Sequence, residues 1–276
     1  MKTGYGFTEF ETLNEFKSWL NKQNVTRKVT RLQVHHMWMP DYSCWPKDNP
    51  LRRQKNTKDY HINHNKWGNI AQHFSIFPDG HIVTGRSLNS TPIGITGWNT
   101  NAICIEIYGN FDKGKDNMTE AQKKAVIGLY GELCKKFKLT PSTYTIRPHC
   151  WFTAGGTYIG DYSISKSAKT CPGTNFMGIG NTKKSFVNEF YPMIKKYING
   201  ESTSKVKEPV QTSKYTTGVY RVNTDDLNVR EKATSDSKKV GVVHKGDAYT
   251  IVKISGNFGY LKSGLGWVHL GYCKKV

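Results

Sequence analysis

Three side chains far apart in this 276-residue sequence could meet on one metal ion: His35 in LQVHHMWMP, His149 in TIRPHCWF and Cys171 in SAKTCPG. Two neutral imidazoles and a thiolate form a borderline-to-soft donor set that suits Zn²⁺. Three protein ligands leave a fourth position open, which marks catalytic rather than structural zinc. Water held there has its pKa drawn down to about 7 and becomes a usable nucleophile. His36 adjoins His35, but neighbours on a strand point to opposite faces, so one of the pair ligates. His61, His64, His73 and His81 stand in loop or strand contexts and read as packing or surface residues.

Hydrophobic patterning predicts the elements that would carry these groups. Thr30 to Val34 reads as a strand delivering His35 at its C-terminal end, and Ile103 to Tyr108 (ICIEIY) reads as a second. His73–Phe77 and His81–Gly85 flank Pro78-Asp79-Gly80, a hairpin signature. Leu13 to Leu20 places Leu13, Phe16 and Leu20 on one helical side. Thr119 and Gln122 form a capping-box pattern ahead of Val126, Leu129, Tyr130, Leu133 and Phe137. Lys184 to Ile198 has the same helical spacing and stops at Asn199-Gly200. Helices mixed irregularly with strands imply an α/β domain with a central mixed sheet flanked by helices.

That domain is expected to span residues 1–200. Residues 201–214, rich in Ser, Thr, Lys and Glu and poor in apolar residues, read as a linker. Residues 215–276 consist of short β-prone runs broken by Gly, Asn and Asp, which predicts a small all-β barrel. Leu227, Val229, Val242, Ile251, Tyr260, Trp267 and Val268 are its candidate core. The 40 basic residues against 21 acidic give a formal charge of +19 and imply attraction to a polyanion without saying which. No apolar run is long enough for a membrane-spanning helix, so membrane insertion is not expected. The N-terminus lacks the apolar stretch of a secretory signal, so synthesis in the cytoplasm is expected. The six scattered cysteines favour free thiols or a metal ligand over a disulfide framework.

At the level of ordered motifs the sequence resembles the type 2 N-acetylmuramoyl-L-alanine amidases, a family that includes phage endolysins and peptidoglycan recognition proteins. The blocks are VHH at Val34–His36, IAQHFSIFPDGHIVTGRSL at Ile70–Leu88, NTNAICIEIYGNFD at Asn99–Asp112 and AKTCPG at Ala168–Gly173. The resemblance implies that His35, His149 and Cys171 bind zinc. It assigns Glu106 as general base, with a pKa raised by burial among Ile103, Ile105 and Ile107, and Lys169 as the support for the oxyanion. Trp98 and Asn99 are candidates for lining the substrate cleft. Two features depart from the family pattern. Gln72 stands where many relatives carry a catalytic tyrosine, and CWFTAGGTYIGDYSISKS lengthens the interval from His149 to Cys171, suggesting a cleft loop.

LNVREKATSDSKKVGVVHKGD and YLKSGLGWVHLGY, in turn, resemble the bacterial SH3-like modules of wall hydrolases, which implies anchoring to the cell wall. The combined expectation is a zinc hydrolase acting on bacterial peptidoglycan as a phage or prophage endolysin, attracted to anionic wall polymers and released at lysis. A host autolysin and a non-catalytic peptidoglycan receptor are the alternatives. A nucleic-acid partner has only the charge in its favour and is not expected.

Overall fold

The computed structural model describes residues 1–47, 49–201, 215–234 and 237–276. The chain divides into two compact units, Met1–Ser204 and Lys205–Val276. The segment read as a linker lies outside the described residues apart from Glu201.

The first unit is built on a seven-stranded mixed sheet. Its strands are β1 (Lys2–Gly4), β2 (Phe7–Phe10), β3 (Arg31–His36), β4 (Phe74–Ile76), β5 (Ile82–Thr84), β6 (Ala102–Ile107) and β7 (Ile146–Pro148). They lie in the order β1-β2-β5-β4-β6-β3-β7. The β4, β6, β3 and β7 neighbours run parallel, and the β1, β2, β5 and β4 neighbours run antiparallel. The Pro78-Asp79-Gly80 turn joins β4 to β5 as a hairpin, as its residues predict.

Helix α1 (Leu13–Asn21) is held by a full capping box between Thr12 and Glu15. Helix α3 (Glu120–Phe137) is capped by Thr119, whose hydroxyl accepts from the Gln122 amide, but the box is only half made. The Gln122 carboxamide instead donates to the carbonyls of Ile76 and Tyr108, joining the ends of two strands. That tertiary use outcompetes the local cap. The C-terminal helix runs from α4 (Lys183–Ser185) through a π turn at Phe186–Phe190 into α5 (Tyr191–Ile198).

The strong apolar stripes of these helices share one core with Leu32, Val34, Phe74, Ile103 and Ile105. Strand alternation therefore sends Gln33 and His35 of β3, and Cys104 and Glu106 of β6, to the opposite face. Helix α2 (Pro50–Asn63) contacts the strands β1, β2 and β5. Periodicity gives no warning of it, because only Pro50, Leu51 and Gln54 are buried. The signal that could have found it is Asn49 capping a helix that starts on Pro50.

The second unit is an all-antiparallel sheet of β8 (Gly218–Val222), β9 (Asp226–Arg230), β10 (Lys239–His244), β11 (Ala248–Ser255), β12 (Phe258–Leu261), β13 (Trp267–His269) and β14 (Cys273–Lys275). Their order is β10-β9-β13-β12-β11-β8-β14. Its core holds Leu227, Val229, Ile251 and Val268, as the sequence suggests, together with Val243, Leu261 and Leu270. Val242, Tyr260 and Trp267 are only half-buried. In each case the sequence reading chose the residue beside the inward one, and alternation turned it outward. Among the described residues no helix is long and apolar enough to cross a membrane.

Candidate metal centre

His35 stands next to last in β3 and is almost wholly buried. His149 opens a short 3₁₀ turn directly after β7, the strand paired to β3, so two adjacent parallel strands deliver the two imidazoles to one end of the sheet. Cys171 arrives from the far side of the long insertion. The backbone N–H of Cys150 donates to the Cys171 carbonyl at 2.8 Å. Ser167 and Ala168 close the insertion further by donating to the carbonyls of Cys150 and Phe152.

His35 Nδ1 lies 3.3 Å from His149 Nδ1 and 3.6 Å from Cys171 Sγ, and all three candidate ligand atoms fall within 4.8 Å of one another. Zinc–nitrogen bonds of about 2.0–2.1 Å and a zinc–sulfur bond of about 2.3 Å on a tetrahedral centre place nitrogens about 3.3 Å apart and nitrogen from sulfur about 3.6 Å apart. The donor set therefore suits a zinc ion, and both distances from His35 match that spacing.

Burial reinforces the fit. It holds His35 well below the usual imidazole range and brings His149 down to about 4, with the Lys169 charge among the secondary causes for both. The imidazoles are thus kept neutral, the form that ligates. Burial also pushes the Cys171 thiol up, aided by the charge of Glu106, while the His36 backbone N–H, donating to its sulfur at 3.4 Å, opposes the shift. A thiol so disfavoured as a free thiolate gains most from a cation beside it. His36 itself does not join the group, because its Nδ1 accepts from the Phe111 amide at 3.2 Å.

Glu106 lies in register with His35 across β3 and β6, its Oε1 3.8 Å from His35 Nδ1. Its pKa is raised to about 8, mainly by burial, with the Lys169 charge pulling the other way. The direction matches expectation, but the cause differs. Ile103, Ile105 and Ile107 are on the far face of the strand, and the carboxylate is desolvated by the cleft it faces. Lys169 is exposed and lines that cleft.

The cleft has a volume of about 1030 Å³. The three metal-binding candidates, Glu106 and Lys169 lie along it, and α2 contributes Arg53, Asn56, Thr57 and Tyr60 to its wall. Glu106 is the one carboxylate among the described lining residues, so the cleft is electropositive.

Two expectations are corrected here. Trp98 and Asn99 are not among the cleft-lining residues. Trp98 is buried beneath the guanidiniums of Arg31 and Arg147, 5.4 and 5.1 Å from its ring, and Asn99 is consumed by local hydrogen bonds. Nor does the insertion line the cleft before Lys169. Phe152 and Tyr158 pack against each other with their rings tilted, and Tyr158 covers Arg147 at 3.7 Å.

Gln72 lines the cleft as the end of a buried chain. Gln54 donates to the Thr84 carbonyl, Ser75 donates to Gln54, and Gln72 donates to Ser75. Among the described residues the Gln72 Oε1 has no hydrogen-bond partner. Sequence reasoning missed this network and also Gln33, whose Oε1 lies 3.2 Å from His35 Nε2.

An α/β sheet thus brings a His-His-Cys cluster that could hold a metal ion to one end of its parallel strands, with a carboxylate beside it. Residues 25–174, more than half of the chain, match the family described as N-acetylmuramoyl-L-alanine amidase (Amidase_2). The chain belongs to that family. It is 27% identical over 159 residues to peptidoglycan-recognition protein SC2 of Drosophila simulans, covering 58% of this chain and 76% of that one. To peptidoglycan-recognition protein 2 of Holotrichia diomphalia it is 30% identical over 136 residues, covering 46% and 68%. Among solved structures it is similar to the endolysin amidase LysCS of Clostridium intestinale, with 25% identity, a TM-score of 0.39 and coverage of 54% and 77%.

Proposed function

We propose that this protein is a zinc-dependent N-acetylmuramoyl-L-alanine amidase that cleaves the amide between N-acetylmuramic acid and L-alanine in bacterial peptidoglycan. The observation that carries the reading is the convergence of His35, His149 and Cys171, whose candidate ligand atoms lie within 4.8 Å of one another, with Glu106 beside them. Relatives named as peptidoglycan-recognition proteins and family membership support the substrate class.

His35, His149 and Cys171 would hold the zinc ion, which when bound supplies Lewis acidity to the lactyl carbonyl and to water. Glu106 takes a proton from the attacking water. Its depressed acidity makes it a stronger base than an ordinary carboxylate and then a competent acid to return that proton to the leaving nitrogen of L-alanine. Lys169 places an ammonium at the cleft, where it opposes the negative charge that develops on the carbonyl oxygen. The electropositive cleft favours a substrate whose stem peptide carries carboxylates.

The second unit serves, in this reading, as an SH3-like wall-binding module. Its seven antiparallel strands and the LNVR and GWV segments support that role, and the formal charge of +19 suits anionic wall polymers. A cutting unit joined to a holding unit suits a phage or prophage endolysin, made in the cytoplasm and acting on the wall at lysis.

The test is to incubate purified cell walls with the protein and measure newly exposed L-alanine amino groups. Release by the native protein, its loss after metal stripping with recovery on adding Zn²⁺, and a fall of at least about 10²-fold in Glu106→Gln are expected. Binding of walls without release would overturn the hydrolase reading in favour of a receptor.

A further inference from the structure

We propose that Gln33 is a positioning residue that fixes the tautomer of His35, holding the ring proton on Nε2 so that Nδ1 presents a bare electron pair to the metal. This rests on the reading of His35, His149 and Cys171 as the metal-holding group.

The argument is one of hydrogen-bond polarity. Asn99 Oδ1 accepts from the backbone N–H groups of Gly94 at 2.9 Å and Ile95 at 3.0 Å. Backbone N–H groups can only donate, so the atom facing them must be the carboxamide oxygen. Gln33 Nε2 then donates to that same oxygen at 3.0 Å and to the Trp98 carbonyl at 3.1 Å, which uses both of its protons. The Gln33 amide cannot flip without setting its oxygen against two acceptors. Its Oε1 is therefore turned to His35 Nε2 at 3.2 Å, and because a carboxamide oxygen cannot donate, that nitrogen must carry the proton.

The competing tautomer would be harmful. A proton on His35 Nδ1 would sit between His149 Nδ1 at 3.3 Å and the Glu106 carboxylate at 3.8 Å, both attractive acceptors, and would cap the atom that must ligate. Gln33 is fully buried, and its backbone carbonyl accepts from the Tyr130 hydroxyl at 2.8 Å, so the device is anchored at both ends. Gly94 leaves the room it needs, since a Cβ there would stand 1.9 Å from Gln33 Oε1. Trp98 and Asn99 thus act on the site through its supporting shell, without touching substrate. Partners of this kind orient metal-bound histidines generally, and losing one typically weakens metal affinity by about 10–100-fold.

The experiment has two readouts on the full-length protein. Long-range ¹H–¹⁵N NMR of the metal-free protein is expected to show His35 with its proton on Nε2. Competition against a chromophoric chelator gives the Zn²⁺ affinity. Gln33→Met removes the acceptor with little change of shape, and Gly94→Ala displaces the same oxygen without altering Gln33 or His35. Both should be folded by circular dichroism, lose the single tautomer and bind Zn²⁺ about 10–100-fold more weakly. If Gln33→Met does not fold, Gly94→Ala carries the test. A His35 proton on Nδ1 in the native protein, or unchanged tautomer and affinity in the folded variants, overturns the proposal. Native protein that binds no Zn²⁺ would instead overturn the metal reading, while the tautomer measurement would still decide the role of Gln33.

Discussion

Lowering the pH should destabilise this protein through buried imidazoles, and His73 allows the size of the effect to be worked out. His73 is fully buried; its Nδ1 accepts from the Cys104 amide at 3.0 Å and its Nε2 meets the Ser90 carbonyl at 3.0 Å. The neutral ring with its proton on Nε2 satisfies both bonds. A second proton would break the first and face Arg27, whose Nη2 is 3.4 Å away. Burial first, then the charges of Arg27 and Arg86, bring its pKa from 6.5 to about 3, with the Ser90 carbonyl opposing. Above 6.5 both folded and unfolded chains hold the ring neutral, and nothing is lost. Below it the unfolded chain takes up a proton that the native site refuses, so stability falls by roughly 1.4 kcal/mol per pH unit until about pH 3. At about pH 4.5 the loss from this residue alone is roughly 2.7 kcal/mol. Urea unfolding followed by tryptophan fluorescence at several values between about pH 6.5 and 4.5 measures it. His73→Asn keeps an acceptor for the Cys104 amide but cannot titrate. It should be less stable at neutral pH, because it surrenders ring volume and the Ser90 bond, yet show a shallower pH slope by about one proton. An identical slope in native protein and variant would refute the reasoning.

Three further outcomes are expected. Cys171→Ser should retain the fold and carry markedly less zinc per chain by elemental analysis, because a hydroxyl is a poorer zinc ligand than a thiolate. Gly173→Ala should lower thermal stability by roughly 3 kcal/mol or more, since this residue has φ +112° and a Cβ would stand 2.4 Å from the Phe111 carbonyl; calorimetry reads the loss. Wall-degrading activity should decline as NaCl rises, because exposed charges are screened beyond about 8 Å at physiological ionic strength, and a flat rate from low to high salt would remove attraction to anionic polymers as a contributor.

The legible parts of this chain were those in which local chemistry and tertiary demand agree. The stripes of α1 and α3 each declare a buried face, and Pro78-Asp79-Gly80 declares its turn. Strand period two correctly separates His35 from His36. The convergence of His149 with Cys171 was not readable from spacing, since the hydrogen bond from Cys150 to the Cys171 carbonyl makes the intervening length irrelevant. Helix α2 was invisible because a helix that walls a solvated cleft needs polar side chains where a core helix would show a stripe. Glu106 faces the cleft, and the isoleucines expected around it belong to the other side of the sheet, because they alternate with it along the strand. Gln33 and Asn99 were misread or missed for a shared reason. An amide's importance lies in which way round it is held, and that direction is set by the backbone groups of Gly94 and Ile95, contacts no pattern in the sequence displays.

The self-closing insertion between His149 and Cys171 has a practical consequence. Its two ends are tied together beside the His35, His149 and Cys171 cluster, while Ile164 near its tip is 91% exposed. Foreign sequence grafted at that tip would hang from a closed neck, leaving the His-His-Cys cluster behind it unstrained.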